Sequence, residues 1–163
     1  MINSIPNSMK QFVNILFLLP DPPFVGFTAW SSISTTFYSG DIILFNNVLF
    51  NYSSAYDSDT SVFTCPLSGI YSVNVRMEEN SDEGFIVDVM QDCNDLFRVH
   101  AHDDTIDHGA SSASAMVGCV TGQIIYVRTA SADVEIGFEQ RNIFSVYLIQ
   151  TMPDDKVQSG RLF

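Results

Sequence analysis

An all-β fold follows from three features of this 163-residue sequence. From Ile70 to Met77 the chain alternates strictly, with Tyr71, Val73, Val75 and Met77 on one face and Ser72, Asn74 and Arg76 on the other. That is the period of a half-buried strand, whereas a helix would scatter those residues around its circumference. Short apolar runs recur along the rest of the chain between turn residues, giving nine or ten strands and no amphipathic helix. The composition agrees: 13 Phe and 6 Tyr stand against only 16% charged residues, an aromatic-rich β make-up. The pattern alone predicts one domain, a sandwich or barrel, long enough to bury a core without disulfides.

The elements follow in order. Residues 1–23 form a leader in which Met9-Lys10 precedes the apolar run Phe12 to Leu19. That is the charge-then-apolar order of a weak secretory signal, although no small-x-small cleavage site comes before Pro20-Asp21-Pro22-Pro23. No run approaches the length needed to cross a bilayer as a helix. Phe24 to Trp30 reads as a strand, Ser31 to Asp41 as a small-polar loop, and Ile42 to Tyr52 as a strand pair or one long bent strand. Ser53 to Ser61 is turn-rich, and Val62 to Thr64 is a short strand. Cys65-Pro66-Leu67-Ser68-Gly69 then breaks the ladder before the Ile70 to Met77 strand, because Pro cannot donate and Gly permits positive φ. Strands are expected around Phe85 to Val89, Leu96 to Ala101, Ala113 to Val120, Ile124 to Thr129, Val134 to Phe138 and Phe144 to Gln150. The polar stretch 151–163 reads as a disordered tail.

Five short motifs in a fixed order carry a resemblance. Phe63-x-Cys65-Pro66-x-x-Gly69-x-Tyr71 resembles the signature line of the C1q globular-head domain family, a relative of the tumour necrosis factor fold. Phe24 to Ala29, Phe45-x-x-Val48-x-x-Asn51 with Tyr56-Asp57, Gly109 to Ser112 leading to Gly122 to Val127, and Phe144-Ser145-x-Tyr147-Leu148 are similar to its other strands. The resemblance covers residues 24–150. It implies a ten-stranded jelly-roll β-sandwich that forms trimers, with structural roles for Phe45, Asn51, Tyr56, Phe63, Cys65, Pro66, Gly69, Tyr71, Gly122, Phe144 and Leu148. The chain departs from the family where Val146 replaces a usual Gly and Gln123 a commoner Asp. The Val146 side chain needs room the family does not normally provide, so packing there, at a candidate subunit contact, is expected to differ. No Gly-X-Y tract is present, which resembles the head-only members of the family.

Charge narrows the partners. Seven Lys and Arg against nineteen Asp and Glu give a net charge of −12, which argues against nucleic acid and anionic membrane surfaces. Ten of the nineteen acids fall between Val75 and Asp107, beside only Arg76 and Arg98. This window reads first as a solvated face and second as a cation site. Calcium is the candidate cation by resemblance, since several family members hold it near the trimer apex, and Glu78, Glu79, Asp82, Glu83, Asp103, Asp104 and Asp107 all fall in expected loops. All three histidines lie in His100 to His108. In an extended strand His100 and His102 share a face, with Asp103, Asp104 and Asp107 following, so these five residues are the candidate metal ligands and an exposed loop is the plainer alternative.

Three cysteines are too few for a disulfide scaffold: Cys65 and Cys119 read as small buried hydrophobes, and Cys93, in a polar turn, as an exposed free thiol. Asn51-Tyr52-Ser53 is a glycosylation sequon on a residue to which the resemblance gives a structural role. No nucleophile elbow, phosphate-cradling loop or paired-cysteine zinc motif occurs, and no enzyme or required cofactor is expected. By resemblance, the function is that of a secreted homotrimeric pattern-recognition module for microbial or carbohydrate ligands. The alternatives are a protein ligand for a cell-surface receptor and, third, a metal enzyme built on His100 and His102.

Overall fold

The computed structural model describes residues 24–78, 84–101, 110–130, 134–136 and 142–158. Among these residues, twelve strands appear in chain order: β1 (Gly26–Trp30), β2 (Thr35–Phe37), β3 (Asn47–Tyr52), β4 (Tyr56–Asp57), β5 (Val62–Thr64), β6 (Gly69–Glu78), β7 (Phe85–Gln91), β8 (Asn94–Ala101), β9 (Ala110–Cys119), β10 (Ile124–Thr129), β11 (Val134–Ile136) and β12 (Ile143–Thr151). A short helix, α1 (Asp154–Gln158), follows. Ten of the strands make two five-stranded sheets, ordered β3-β1-β12-β6-β9 and β4-β5-β10-β7-β8, while β2 and β11 form a side ribbon. The chain crosses repeatedly between the sheets, and the last strand lies between the first and the sixth. This is the non-sequential order of an antiparallel jelly roll.

Alternation builds the core. Tyr71, Val73, Val75 and Met77 of β6 all point inward and are buried, as the period-2 pattern predicts. Aromatic rings fill the centre: Phe27 stacks on Tyr56 at 3.8 Å between centroids and meets Phe63 at 5.4 Å and Phe144 at 5.0 Å. Phe45 packs on Phe144 at 5.5 Å, and Tyr71 on Phe63 at 5.8 Å. Each such ring contributes roughly 1.5–3 kcal/mol by leaving water.

Four expectations are corrected. Cys65 and Cys119 are buried, but they form a disulfide with Cα atoms 6.4 Å apart. Register brings them together, because Cys119 pairs with Gly69, just after the break that begins at Cys65. The Cys65 N–H also donates to the Gln123 carbonyl (2.8 Å), and Gly122 N–H donates to the Cys65 carbonyl (2.9 Å). Val146 is fully buried, opposite Val73 and Phe27, so its extra volume fills the sandwich interior instead of a subunit contact. The expected Ser31 to Asp41 loop contains β2, and the strand expected from Ile42 is reduced to an isolated bridge between Ile42 and Arg128 before β3 begins. Finally, the tail expected to be disordered is structured through residue 158. Thr151 pairs with Gly69, Met152 N–H donates to the Ser68 carbonyl (2.9 Å), and Val157 of α1 is buried. Pro153 just before the helix and Asp154 and Asp155 in its first turn are the residues a helix start favours.

Candidate functional site

Among the described residues, the outer face of the first sheet carries most of the large apolar side chains that stand in solvent. Its registers align three outward rows: Tyr52, Gly26, Tyr147, Ser72 and Met116; then Phe50, Thr28, Ser145, Asn74 and Ser114; then Asn47, Trp30, Ile143, Arg76 and Ser112. The rows divide the face in two. At the end near Tyr147, large apolar side chains stand in solvent: Phe24 is 54% exposed, Tyr52 59%, Tyr147 45%, Ile149 49% and Met116 74%. The Phe24 ring lies 5.7 Å from Phe50 and 5.4 Å from Tyr52, so these three rings form one cluster, with Tyr147 and Met116 farther along the same row. Gly26 keeps the middle of the row low. A Cβ there would sit 2.8 Å from Tyr147 Cβ and 2.8 Å from the Val146 carbonyl oxygen. A contiguous exposed apolar patch of this kind marks an interaction surface.

The other half of the face is polar. Asn74, Arg76, Ser112, Ser114, Ile143 and Ser145 line a shallow depression of about 340 Å³. Arg76 is held at 2.9 Å by Glu78, a carboxylate that is itself buried. Asn74 Nδ2 donates to Ser72 Oγ (3.2 Å). The two halves together offer area for apolar burial and hydroxyl, amide and guanidinium groups for directional contacts.

Among the described residues, the acids of the window are held by separate protein partners. Asp88 is buried on the outer face of the second sheet between Arg98 (2.7 Å to Nε) and Arg128 (3.7 Å), and Asp95 lies 3.2 Å from Arg128. The hydrogen bond that Arg98 Nε donates to the Asp88 carboxylate raises the Arg98 pKa above its ordinary value. Asp92, at φ +52° in the two-residue turn between β7 and β8, accepts from Ile124 N–H (3.0 Å) and Gln123 Nε2 (2.8 Å). Gln123 Oε1 in turn accepts from Val120 N–H (2.9 Å) and Gln91 Nε2 (3.0 Å), so this departure from the family pattern clamps two neighbouring turns together. Four acids of the window therefore have protein partners. Glu79, Asp82, Glu83, Asp103, Asp104 and Asp107 lie outside the described residues.

Of the candidate metal ligands, only His100 is described; it is exposed on β8, opposite Ile86. His102, Asp103, Asp104 and Asp107 lie outside the described residues. Among the described residues, no group of three His, Cys, Asp or Glu side chains could hold an ion. Cys93 is free and exposed.

The motif residues sit where they tie the sandwich together. Tyr56 Oη donates to the Phe45 carbonyl (2.7 Å), Asn51 Nδ2 donates to the Tyr56 carbonyl (2.8 Å), and Phe45 N–H donates to Ser61 Oγ (2.7 Å). Burial pushes the Tyr56 phenol up to about 12, and burial raises the Tyr71 phenol, whose Oη donates to the Leu67 carbonyl (2.6 Å). Phe63, Cys65 and Phe144 are fully buried, Leu148 packs against the core, Pro66 and Gly69 shape the turn into β6, and Gly122 takes φ +89°. Asn51 spends both amide atoms on Tyr56, which is a structural use of the sequon.

Sequence reasoning did not assign Phe24, Phe50, Tyr52, Met116, Tyr147 and Ile149 to an exposed face. A signal was present, because Phe144, Val146 and Leu148 alternate with Tyr147 and Ile149, leaving the latter part of β12 apolar on both faces. A strand apolar on both faces expects cover on both.

Comparison with known proteins agrees with this architecture. The family model for the C1q domain matches residues 26–149. No curated protein matches the sequence. Among solved structures, the globular domain of zebrafish complement 1qA aligns with TM-score 0.61 at 12% identity, covering 78% of this chain and 99% of that one. Eiger TNF from S. frugiperda aligns with TM-score 0.68 at 10% identity, over 82% of this chain and 97% of that one. Murine APRIL aligns with TM-score 0.61 at 11% identity, over 77% and 99%. At these identities the likeness shows the fold.

Proposed function

Because this chain belongs to the C1q domain family, whose members act outside the cell as ligand-binding and signalling modules, we propose that it is a secreted, homotrimeric recognition protein for microbial or carbohydrate ligands. The exposed aromatic and aliphatic patch on the outer face of the first sheet carries this reading: three copies meeting through it would remove Phe24, Tyr52, Tyr147, Ile149 and Met116 from water. The buried Cys65–Cys119 disulfide supports the extracellular setting, since such bonds persist in oxidising compartments. Among the described residues no helix is long and apolar enough to cross a membrane. The net charge of −12 directs recognition toward cationic or neutral surfaces, not nucleic acid. Calcium held by the loop carboxylates would act in recognition or assembly. Binding here needs no covalent step.

The test is binding of the purified protein to immobilised microbial polysaccharides, with calcium and then with chelator, beside a Tyr147→Asp variant. Threefold display multiplies a weak single-site affinity by about 10²–10⁴, so the variant loses most of the retained signal. Loss of binding on chelation would locate a cation in recognition. Saturable binding to one cell-surface protein, with no polysaccharide retained, would instead favour the receptor-ligand alternative.

A further inference from the structure

We propose that the outer face of the second sheet binds the carboxylate of an acidic sugar between Arg98 and Arg128. The proposal deepens the carbohydrate reading above and rests on it. One outward row crosses this face, formed by Ile42, Arg128, Asp88 and Arg98. Alternation sends Val127, Val87 and Val99 of the same strands into the core, so the row looks out to solvent. Asp88 is the exception in it, a residue only 4% exposed. Arg98 Nε donates to its Oδ1 (2.7 Å), and Arg128 Nη2 approaches its Oδ2 at 3.7 Å. One buried acid thus holds two guanidiniums at the surface, one on each side. Their side chains are 56% and 37% exposed.

What the two arginines leave unused points to the ligand. Among the described residues, both Nη groups of Arg98 and the Nε and Nη1 of Arg128 have no protein acceptor. Arg128 Nη2 is engaged by Asp95 (3.2 Å), whose side chain is 62% exposed. Asp95 is therefore a carboxylate already seated from the solvent side, and the ligand's carboxylate takes its place. A guanidinium fork suits that group because two parallel hydrogen bonds match its plane. Apolar contact for the sugar ring stands beside the fork. Ile42 is 36% exposed at the end of the row, and Tyr126, pinned through its hydroxyl to the Asp92 carbonyl (3.0 Å), precedes Arg128 by two residues on the same face. The net charge of −12 restricts the ligand to a single acid on an otherwise neutral glycan. Repulsion of an extended polyanion accumulates over all its charges, whereas hydrogen bonds to one carboxylate act at contact. This face is opposite the β3-β1-β12-β6-β9 assembly surface, so the site stays open in a trimer.

Ligand-observed NMR on the full-length protein, titrated with glucuronate, glucose, acetate or inorganic sulfate, tests the site. Glucuronate should bind saturably and tighter than each of the other three. Arg98→Gln and Arg128→Gln should each weaken it at least about tenfold, the loss of a charged hydrogen-bonded pair. Arg98→Lys should weaken it too, because it keeps the charge and loses the fork. Asp95→Asn should strengthen binding about threefold by freeing Arg128 from a surface ion pair. Asp154→Asn, an equal change of net charge at an exposed residue of α1, should leave it unaltered. Unchanged glucuronate affinity in both glutamine variants would overturn the proposal, as would acetate or sulfate matching glucuronate. If the glutamine variants fail to fold, the exposed Asp95 decides: Asp95→Asn no different from Asp154→Asn would also overturn it. Retention on neutral polysaccharide with glucuronate inert would sink the acidic-sugar site and leave the recognition reading standing. Glucuronate binding with no polysaccharide retained would support the site and sink that reading.

Discussion

Removing the Cys65–Cys119 bond should be the most costly small change this molecule can undergo outside its aromatic centre. The bond closes a loop with a sequence separation of 54. The unfolded chain loses roughly 4 kcal/mol of conformational freedom to a closure of that length. For a domain of this size, where each kcal/mol shifts the midpoint by about 2–4 °C, the melting temperature should fall by roughly 8–16 °C. The suitable variant replaces both cysteines by alanine, because serine would leave an unpaired hydroxyl in a site that is fully buried. Thermal melting of Cys65→Ala/Cys119→Ala is compared with wild type and with Cys93→Ala, whose exposed thiol makes it the control. Thiol titration of the native protein should find one reactive sulfur per chain, and three after reduction and unfolding. A double variant melting within about 2 °C of wild type would refute the argument, since it would mean that loop closure contributes no more than about 1 kcal/mol here.

Other consequences are as direct. Val146→Gly restores the residue usual in the family but empties a fully buried site, so it should destabilise by about 2–4 kcal/mol through lost burial and added chain freedom, read in a denaturant melt. Gln123→Ala leaves the Asp92 carboxylate without one of its donors and separates the two turns; about 1–3 kcal/mol is expected, with faster amide exchange at Ile124. The Tyr56 phenol, raised to about 12 in the folded protein, keeps its stabilising effect below the unfolded value near 10. The unfolded chain releases that proton first as pH rises, so stability should decline between about pH 10 and 12, and Tyr56→Phe should flatten the decline in alkaline melts.

Period and turn chemistry made the sandwich readable. β6 could be drawn from its alternation because one face had to be buried along its whole length, and β12 because Phe144 and Leu148 frame a similar run. The disulfide was not readable, because nothing in local pattern says that residues 54 apart in sequence meet; only the pairing of β6 with β9 shows it. Composition misread the tail: Pro153, Asp154 and Asp155 look like breakers, yet they suit a helix start once Gly118 offers Val157 a seat. The candidate assembly face was hidden for a related reason. Phe24, Phe50 and Tyr52 belong to separate stretches and become one cluster only when β3 pairs with β1. Of the His100 to His108 segment only His100 and Ala101 fall among the described residues, and His100 is exposed there.

The central claim is that the outer face of the β3-β1-β12-β6-β9 sheet joins three copies of the chain, and its most direct test is molecular mass in solution by light scattering. Wild type should show three times the 18.1 kDa chain mass, and Tyr147→Asp a single chain that still melts cooperatively. A wild-type protein that remains at one chain mass across the accessible concentration range, or a Tyr147→Asp variant that keeps the wild-type trimer, would contradict the account.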